Sequence, residues 1–403
     1  MNNNKNRWAL VVALTIISQA QAGTVTSDGA DIVIKTKGGF EAKTTDGIYS
    51  FKLGGRIQLD YNDFDGVIND IEGKSGDDLF FRRARLELKG KAQDWGYVAS
   101  YNLTDGGSID KLNMTYLAWG KMAKLTLGQQ KEFFGLEDTT SSKWITAVER
   151  SMPSSAFDTG DNVGIKLHGA NDMWTYSVGV YKENIDSDDN SLDTAMTGRV
   201  VFRPIYADGN LLHLGVGFTS RDGIFDGIDA RLGVRGGEDG DLVNRVEADY
   251  DGAEGDEFEA YNVELAGIMG PFHFEAEFFD GEISGPSSVP DLDADGYSVQ
   301  GAWIFTGESR SYKTGIGAFD KVKPSDSDGA WEVFLRYDTL DVSNSSAGIT
   351  VTGEEAETLT LGVNWYMTSH VKIALNYVDA ETDKPINNED DGDAIVGRLQ
   401  FSF

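Results

Sequence analysis

Cysteine is absent from the 403 residues, which excludes a disulfide framework and any thiolate metal site. Histidine is almost as scarce. His168, His213, His273 and His370 lie far apart, without the spacing of a metal site. The GxSxG and phosphate-loop patterns are missing. No enzyme and no cofactor are therefore expected, with a lipid-hydrolysing protein as the weak enzymatic alternative. Positive charge is in deficit, with 35 lysines and arginines against 66 acids and a net charge of -31. No nucleic-acid partner is expected from such a balance. After residue 22 no stretch approaches the roughly 20 apolar residues of a spanning helix.

What is present begins with an address. Lys5 and Arg7 precede the apolar run Trp8 to Ile17, and Ala20-Gln21-Ala22 forms an A-x-A pattern. Residues 1–22 read as a secretory signal. The mature chain is then either soluble in the envelope or a membrane barrel.

Hydropathy alternation favours the barrel. In "IVGRLQFSF", Ile395, Gly397, Leu399, Phe401 and Phe403 share one face, and Val396, Arg398, Gln400 and Ser402 the other. This is the period of a strand with one apolar side. Sixteen such stretches occur, near 48–63, 79–92, 96–104, 110–120, 124–131, 161–169, 173–184, 194–204, 211–221, 257–269, 272–284, 296–305, 330–341, 357–367, 370–381 and 393–403. Most approach the ~9–11 residues of a tilted membrane strand. Tyr49, Tyr61, Trp174, Trp303, Trp365 and Tyr366 sit near strand ends, as an interfacial girdle would. Odd-numbered connections are mostly long and even-numbered ones mostly short, the pattern of external loops and periplasmic turns. Residues 306–329 break it, standing where a short turn belongs. The expectation is an all-β, sixteen-stranded antiparallel transmembrane barrel over 47–403, preceded by a periplasmic segment at 23–46. A secreted β-sandwich or β-solenoid is the alternative.

The stretch "FFRRARLELKGKA" concentrates basic residues in this acidic chain. Parity sends Ala84, Leu86, Leu88 and Gly90 to lipid and Arg83, Arg85, Glu87, Lys89 and Lys91 to the lumen. Arg82 falls on the lipid side unless a bulge turns it inward. Lys52, Arg56, Lys166, Arg199, Arg203, Arg221, Arg336, Lys372 and Arg398 add lumen charge. Acids gather in the loops: residues 222–256 hold eleven against three arginines. A positive wall under acidic loops suits an anion channel, because the local field decides which ion passes. A charged but unselective lumen remains the other reading. The long third loop, "EFFGLEDTTSSKWITAVERSMPSSAFDTGD", is expected to fold inward. Its Thr139, Thr140, Ser141, Ser142, Lys143 and Arg150 suit an oxyanion.

Several segments, namely "GTVTSDGADIVIKTKGGFEAKTTDGIYSFKLGGRIQLDY", "FFRRARLEL", "FGLEDTTSSKWITAVERS", "TGESRSYK" and "LTLGVNWY", resemble the phosphate-selective porins O and P of Gram-negative outer membranes. The resemblance covers nearly the whole mature chain. It implies a homotrimer among outer-membrane lipids, with a constriction built by the third loop and a ladder of arginines passing phosphate, pyrophosphate or polyphosphate. Carried over by segment, Arg82, Arg83, Ser141, Ser142, Lys143 and Arg150 would bind anion at the constriction, with Arg56 beside them. Arg221, Arg231, Arg235 and Arg245 would belong to the ladder. Arg85 and Lys131 stand where the family has aromatic or acidic gate residues, Asp138 where a basic residue is usual, and "GIDARLGVRG" is poorer in arginine. A general diffusion porin, or a channel for another anion such as sulfate, stays open at this point.

Overall fold

A computed structural model describes residues 23–27, 30–36, 39–104, 106–182, 193–238, 240–285, 288–344 and 346–403. The signal segment, and most of the 185–193 loop, lie outside the described residues. Sixteen antiparallel strands form the wall: β1 (Tyr49–Phe64), β2 (Gly76–Ala92), β3 (Trp95–Asn102), β4 (Ser108–Tyr116), β5 (Lys124–Lys131), β6 (Asp161–Ala170), β7 (Trp174–Lys182), β8 (Thr194–Ala207), β9 (Asn210–Phe225), β10 (Gly255–Met269), β11 (Phe272–Ser284), β12 (Leu292–Ile304), β13 (Ala330–Asp341), β14 (Glu355–Tyr366), β15 (Val371–Ile386) and β16 (Glu389–Ser402). Each pairs with its neighbour in sequence, and β16 returns to β1 in the register Ser402↔Arg56 to Ala394↔Phe64. Closure leaves no unpaired edge in the wall, as a membrane requires.

The alternation runs inside out relative to a soluble protein. Along β11, Phe278 is exposed while Glu275 and Glu277 are buried. Leu361, Leu375, Ile395 and Leu399 likewise face outward. At the end holding the short turns, Phe272, Trp303, Phe305, Trp331 and Trp365 form a band of stacked and edge-on rings, with successive ring centroids 5.1–6.4 Å apart. Tyr366 departs from the expected girdle. It lies inside, where its hydroxyl donates to Glu332 at 2.8 Å.

Glycine closes the seam. Gly55 exchanges backbone hydrogen bonds with Phe403 at 3.0 and 3.2 Å. A Cβ on Gly55 would stand 2.5 Å from the Arg85 carbonyl oxygen and 2.8 Å from the Phe403 ring. Below the seam, where β16 has ended, the short strand Phe40–Thr44 pairs with the free half of β1. Ala30–Lys35 and Gly23–Ser27 continue that meander.

One connection differs from expectation, and another, already irregular in the sequence, takes a definite form. Residues 382–392 are not a loop. β15 and β16 run on into a hairpin turned by Asn387 and Asn388, both at positive φ (54° and 64°), which asparagine tolerates. Residues 305–329 are not a short turn. They carry a small hairpin, Tyr312–Lys313 with Ala318–Phe319, that bonds inward-facing wall residues.

Candidate functional site

Two bulges shape the inner wall. Gln58 pairs with Arg83 and Leu59 with Phe81, so Arg82 is the extra residue on β2. The bulge turns it inward, where it forms a two-bonded ion pair with Glu149 at 2.8 and 3.0 Å. On β4, Ser100 pairs with Lys111 and Tyr101 with Ile109, so Asp110 is extra. It meets Arg85 and accepts from Ser100 Oγ at 3.0 Å. Bulges re-aim side chains in this way.

Residues 132–160 bond to inward-facing residues around the wall. Two single helical turns stiffen them, α1 (Leu136–Thr139) and α2 (Met152–Ala156). Gly135, at φ 78°, makes the turn into α1. The first amides of α1, on Leu136 and Glu137, donate to Glu277 at 2.5 and 2.8 Å, satisfying donors that a helix start leaves open. Beyond α1 the backbone carbonyls are held from the wall. Gln58 reaches Ser142 O at 3.1 Å, Gln400 reaches Lys143 O at 3.1 Å, Lys372 reaches Ile145 O at 3.1 Å, Arg398 reaches Val148 O at 2.6 Å and Arg336 reaches Glu149 O at 2.8 Å.

On one side the lumen is filled and its charges are matched. Arg199 forks onto Glu264, with both bonds at 2.6 Å, and donates to the carbonyls of Ile316 and Gly317. His213 bridges Glu264 and the Tyr312 hydroxyl at 2.8 and 2.7 Å. His273 meets Glu332 at 2.7 Å. Arg336 pairs with Asp338, and Arg398 with Asp60. A mainly positive wall with its acids largely in the loops, expected from sequence, is thus corrected: Asp60, Glu264, Glu275, Glu277, Glu332 and Asp338 are buried inside it. Desolvated charges need partners, so a filled lumen carries both signs.

On the other side, three cavities remain; one, of about 210 Å³ around Lys52 and Lys321, shares Lys89, Lys143, Trp144 and Lys313 with the lower of the other two. The upper, of about 240 Å³, is lined by Arg82, Arg83, Arg150, Arg231, Arg235 and Arg245 against Glu149, Asp158 and Asp229. The lower, of about 260 Å³, is lined by Arg56, Arg85, Lys89, Lys111, Lys131, Lys143 and Lys313 against Glu87 and Asp110. A larger, acidic hollow of about 940 Å³ lies in the outer loops around Asp226, Glu247 and Asp249 and shares Asp229 and Arg245 with the upper cavity.

The residues singled out by sequence fall into distinct settings. Arg56 donates to Ser142 Oγ, and Arg83 to Gln58 Oε1 at 3.3 Å, so both hold neutral partners. Ser141 and Lys143 line the lower cavity, whereas Ser142 is buried as an anchor. Lys131 binds Asp138 at 2.6 Å and Asp158 at 3.5 Å. Arg150 approaches Asp138 at 3.5 Å and bonds carbonyls of its own loop. Arg245 pairs with Asp229. Arg221 is apart from these cavities, committed to Glu132. Sequence reading passed over Lys111, Lys313, Asp110 and Glu149. Glu149 lies within the quoted third loop, and its position between Arg82 and Arg398 depends on the bulge.

Burial and local charge tune the loop. Burial and then Asp158 push the Asp138 carboxyl up to about 6, against Lys131 and Arg150. Despite burial, Arg82 and Arg398 hold Glu149 well below the usual carboxylate range. Burial, aided by Arg56 and Lys89 and opposed by Glu87, brings the Lys143 ammonium down to about 8.

A closed barrel with an apolar exterior and a charged, narrowed interior defines an outer-membrane porin, a channel of the Gram-negative outer membrane and not an enzyme. Residues 51–403 match the model of the family described as phosphate-selective porin O and P, and the chain belongs to that family. It is 41% identical to Porin O of Pseudomonas aeruginosa, covering 98% of each chain. It is 25% identical to an uncharacterized protein of Caulobacter vibrioides, covering 86% of this chain and 72% of that one. Among solved structures, the anion-selective porin from Comamonas acidovorans superposes with a TM-score of 0.57 at 12% identity, covering 88% of this chain and 100% of that one. That likeness is one of fold.

Proposed function

We propose that the pore selects anions and conducts phosphate, pyrophosphate or polyphosphate. The observation that carries this is the row of net-basic cavities, while cations elsewhere in the lumen are already engaged, Arg199, Arg336 and Arg398 by carboxylates and Arg203, Arg310 and Lys372 by carbonyl and hydroxyl oxygens. A unit charge pair at 4 Å is worth about 1 kcal/mol in water and about 4 kcal/mol at an effective dielectric near 20. Several such contacts offset the lost hydration of a dianion. Binding must remain weak enough for release, which a row of moderate sites achieves better than one cage. The family description names phosphate selectivity, and the Comamonas porin is named anion-selective, in support of this reading.

In this reading the third loop forms the constriction. Arg83, Arg56, Ser141 and Lys143 lead in binding, since their partners are neutral. Arg82 and Arg150, already engaged by Glu149 and by Asp138 with loop carbonyls, shape the site more than they bind. Arg85 and Lys131 raise the charge of the lower cavity and favour pyrophosphate over phosphate. Reversal potentials in a salt gradient test anion selectivity, and a cation preference overturns it. Block of chloride current by phosphate and by pyrophosphate tests the rest: Arg85→Ala should lower the pyrophosphate-to-phosphate ratio.

The working unit in this proposal is a homotrimer among outer-membrane lipids, as the solved OmpT of Vibrio cholerae is described in a trimer form. In the same proposal, residues 23–46 latch a neighbouring subunit. Deleting 23–46 should lower trimer heat stability, and an unchanged trimer removes that role.

A further inference from the structure

The lower cavity is not uniformly polar. Phe133, at the start of the third loop, and Trp144, at its middle, line it beside the cations. The loop hides its other large apolar side chains. Phe134, Leu136, Ile145, Val148, Met152 and Phe157 are at most 3% exposed, whereas Phe133 and Trp144 are only partly covered. A hydrated inorganic anion gains nothing from an apolar surface, and leaving one in water is unfavourable. Phe133 is held by its ring and Trp144 by its main chain. The Trp144 amide donates to Ser141 O at 2.7 Å, and its carbonyl accepts from Arg310 at 2.5 Å. The Lys166 ammonium lies 3.6 Å from the Phe133 ring centroid, and the His168 ring meets it edge-on. The cavity, at about 260 Å³, falls just below the roughly 300–1,000 Å³ of small-molecule sites.

Resting on the phosphate reading above, we propose that this cavity takes a second substrate class: organic phosphate monoesters carrying a flat apolar group. The phosphoryl oxygens meet Arg56, Lys143 and their neighbours, and the organic group lies against Phe133 and Trp144. Preformed rings bind such a group with little ordering cost.

The test is block of single-channel chloride current in the full chain, at a pH where every probe is a dianion. Phenyl phosphate, methyl phosphate and inorganic phosphate are compared. Phenyl phosphate should block about three- to tenfold more tightly than methyl phosphate, the range an aromatic contact supplies. Trp144→Ala should move that ratio toward one. Should that variant fail to assemble, Phe133→Leu, which keeps an apolar side chain but no flat ring, should lower the ratio in the same direction. Equal block by the three probes in the wild type overturns this proposal and leaves the phosphate reading standing. Absence of block by inorganic and methyl phosphate overturns the phosphate reading itself. A phenyl preference that survives both substitutions overturns the assignment to these rings.

Discussion

The two sides of the lumen are built from the same residue types and do different things with them. Along β1–β5, arginines and lysines look into open cavities, and Arg56 and Arg83 lean on neutral groups. Along β8–β16, Arg199, Arg336 and Arg398 are buried against Glu264, Asp338 and Asp60. A basic residue facing inward is therefore not by itself an anion site. On the proposed reading, what distinguishes the two is whether a loop or a carboxylate has already taken the place a phosphate would occupy.

Substitutions can break or sharpen this contrast. The largest effect belongs to the filled side. Glu264→Ala leaves Arg199 and His213 buried without their acid, a loss of about 3–5 kcal/mol. Lys89→Ala removes a half-exposed pair with Glu87 and should change stability by less than about 1 kcal/mol. Thermal unfolding of the purified barrel compares them, and equal effects would erase the distinction. Next comes block by phosphate. Arg83→Ala or Arg56→Ala should weaken it about tenfold, near 1.4 kcal/mol. Arg203→Gln, whose guanidinium serves Asn171, Asp172 and Thr175, should leave block within about twofold. Glu149→Gln moves charge the other way. It releases Arg82 toward the upper cavity and should tighten block by roughly two- to fivefold, a Coulomb gain of about 0.5–1 kcal/mol.

The smallest effect is one of pH. Asp138 is neutral below about 6 and cancels positive charge on Lys131 and Arg150 above it. Lys143 is charged below about 8 and neutral above. Both steps remove positive charge as pH rises. Block by sulfate, whose own charge is constant, should therefore weaken in two stages between pH 5 and 9. Lys143→Met should abolish the upper stage and leave the lower, and a flat profile would show that neither group faces the ion.

The wall was legible because each strand alternates over a membrane-length span, and all sixteen stretches became strands. The interior was legible only in part. Parity counting cannot see a bulge, so Arg82 stood on the wrong face by strict alternation and Asp110 was passed over. Glu264 and Glu332 share the inward parity of the basic residues, yet their importance depends on Arg199 and His273, far away in sequence. The hairpin at 305–329 breaks the rule of short turns for a physical reason: Tyr312 and the carbonyls of Ile316 and Gly317 complete bonds that the filled side needs. At 382–392 the two asparagines were a turn signal inside an acidic stretch, overshadowed there by charge.

The third loop is fastened to the wall chiefly through its main chain. Ser142, Lys143, Ile145, Val148 and Glu149 are all gripped by their carbonyl oxygens. A carbonyl is common to every amino acid. The path of the loop across the pore is thus largely independent of which side chains it carries. Positions 141, 143 and 144 can then change from hydroxyl to cation to ring without dismantling the loop. Such an arrangement lets a lineage retune what its outer membrane admits one substitution at a time, from an intact and working channel at every step.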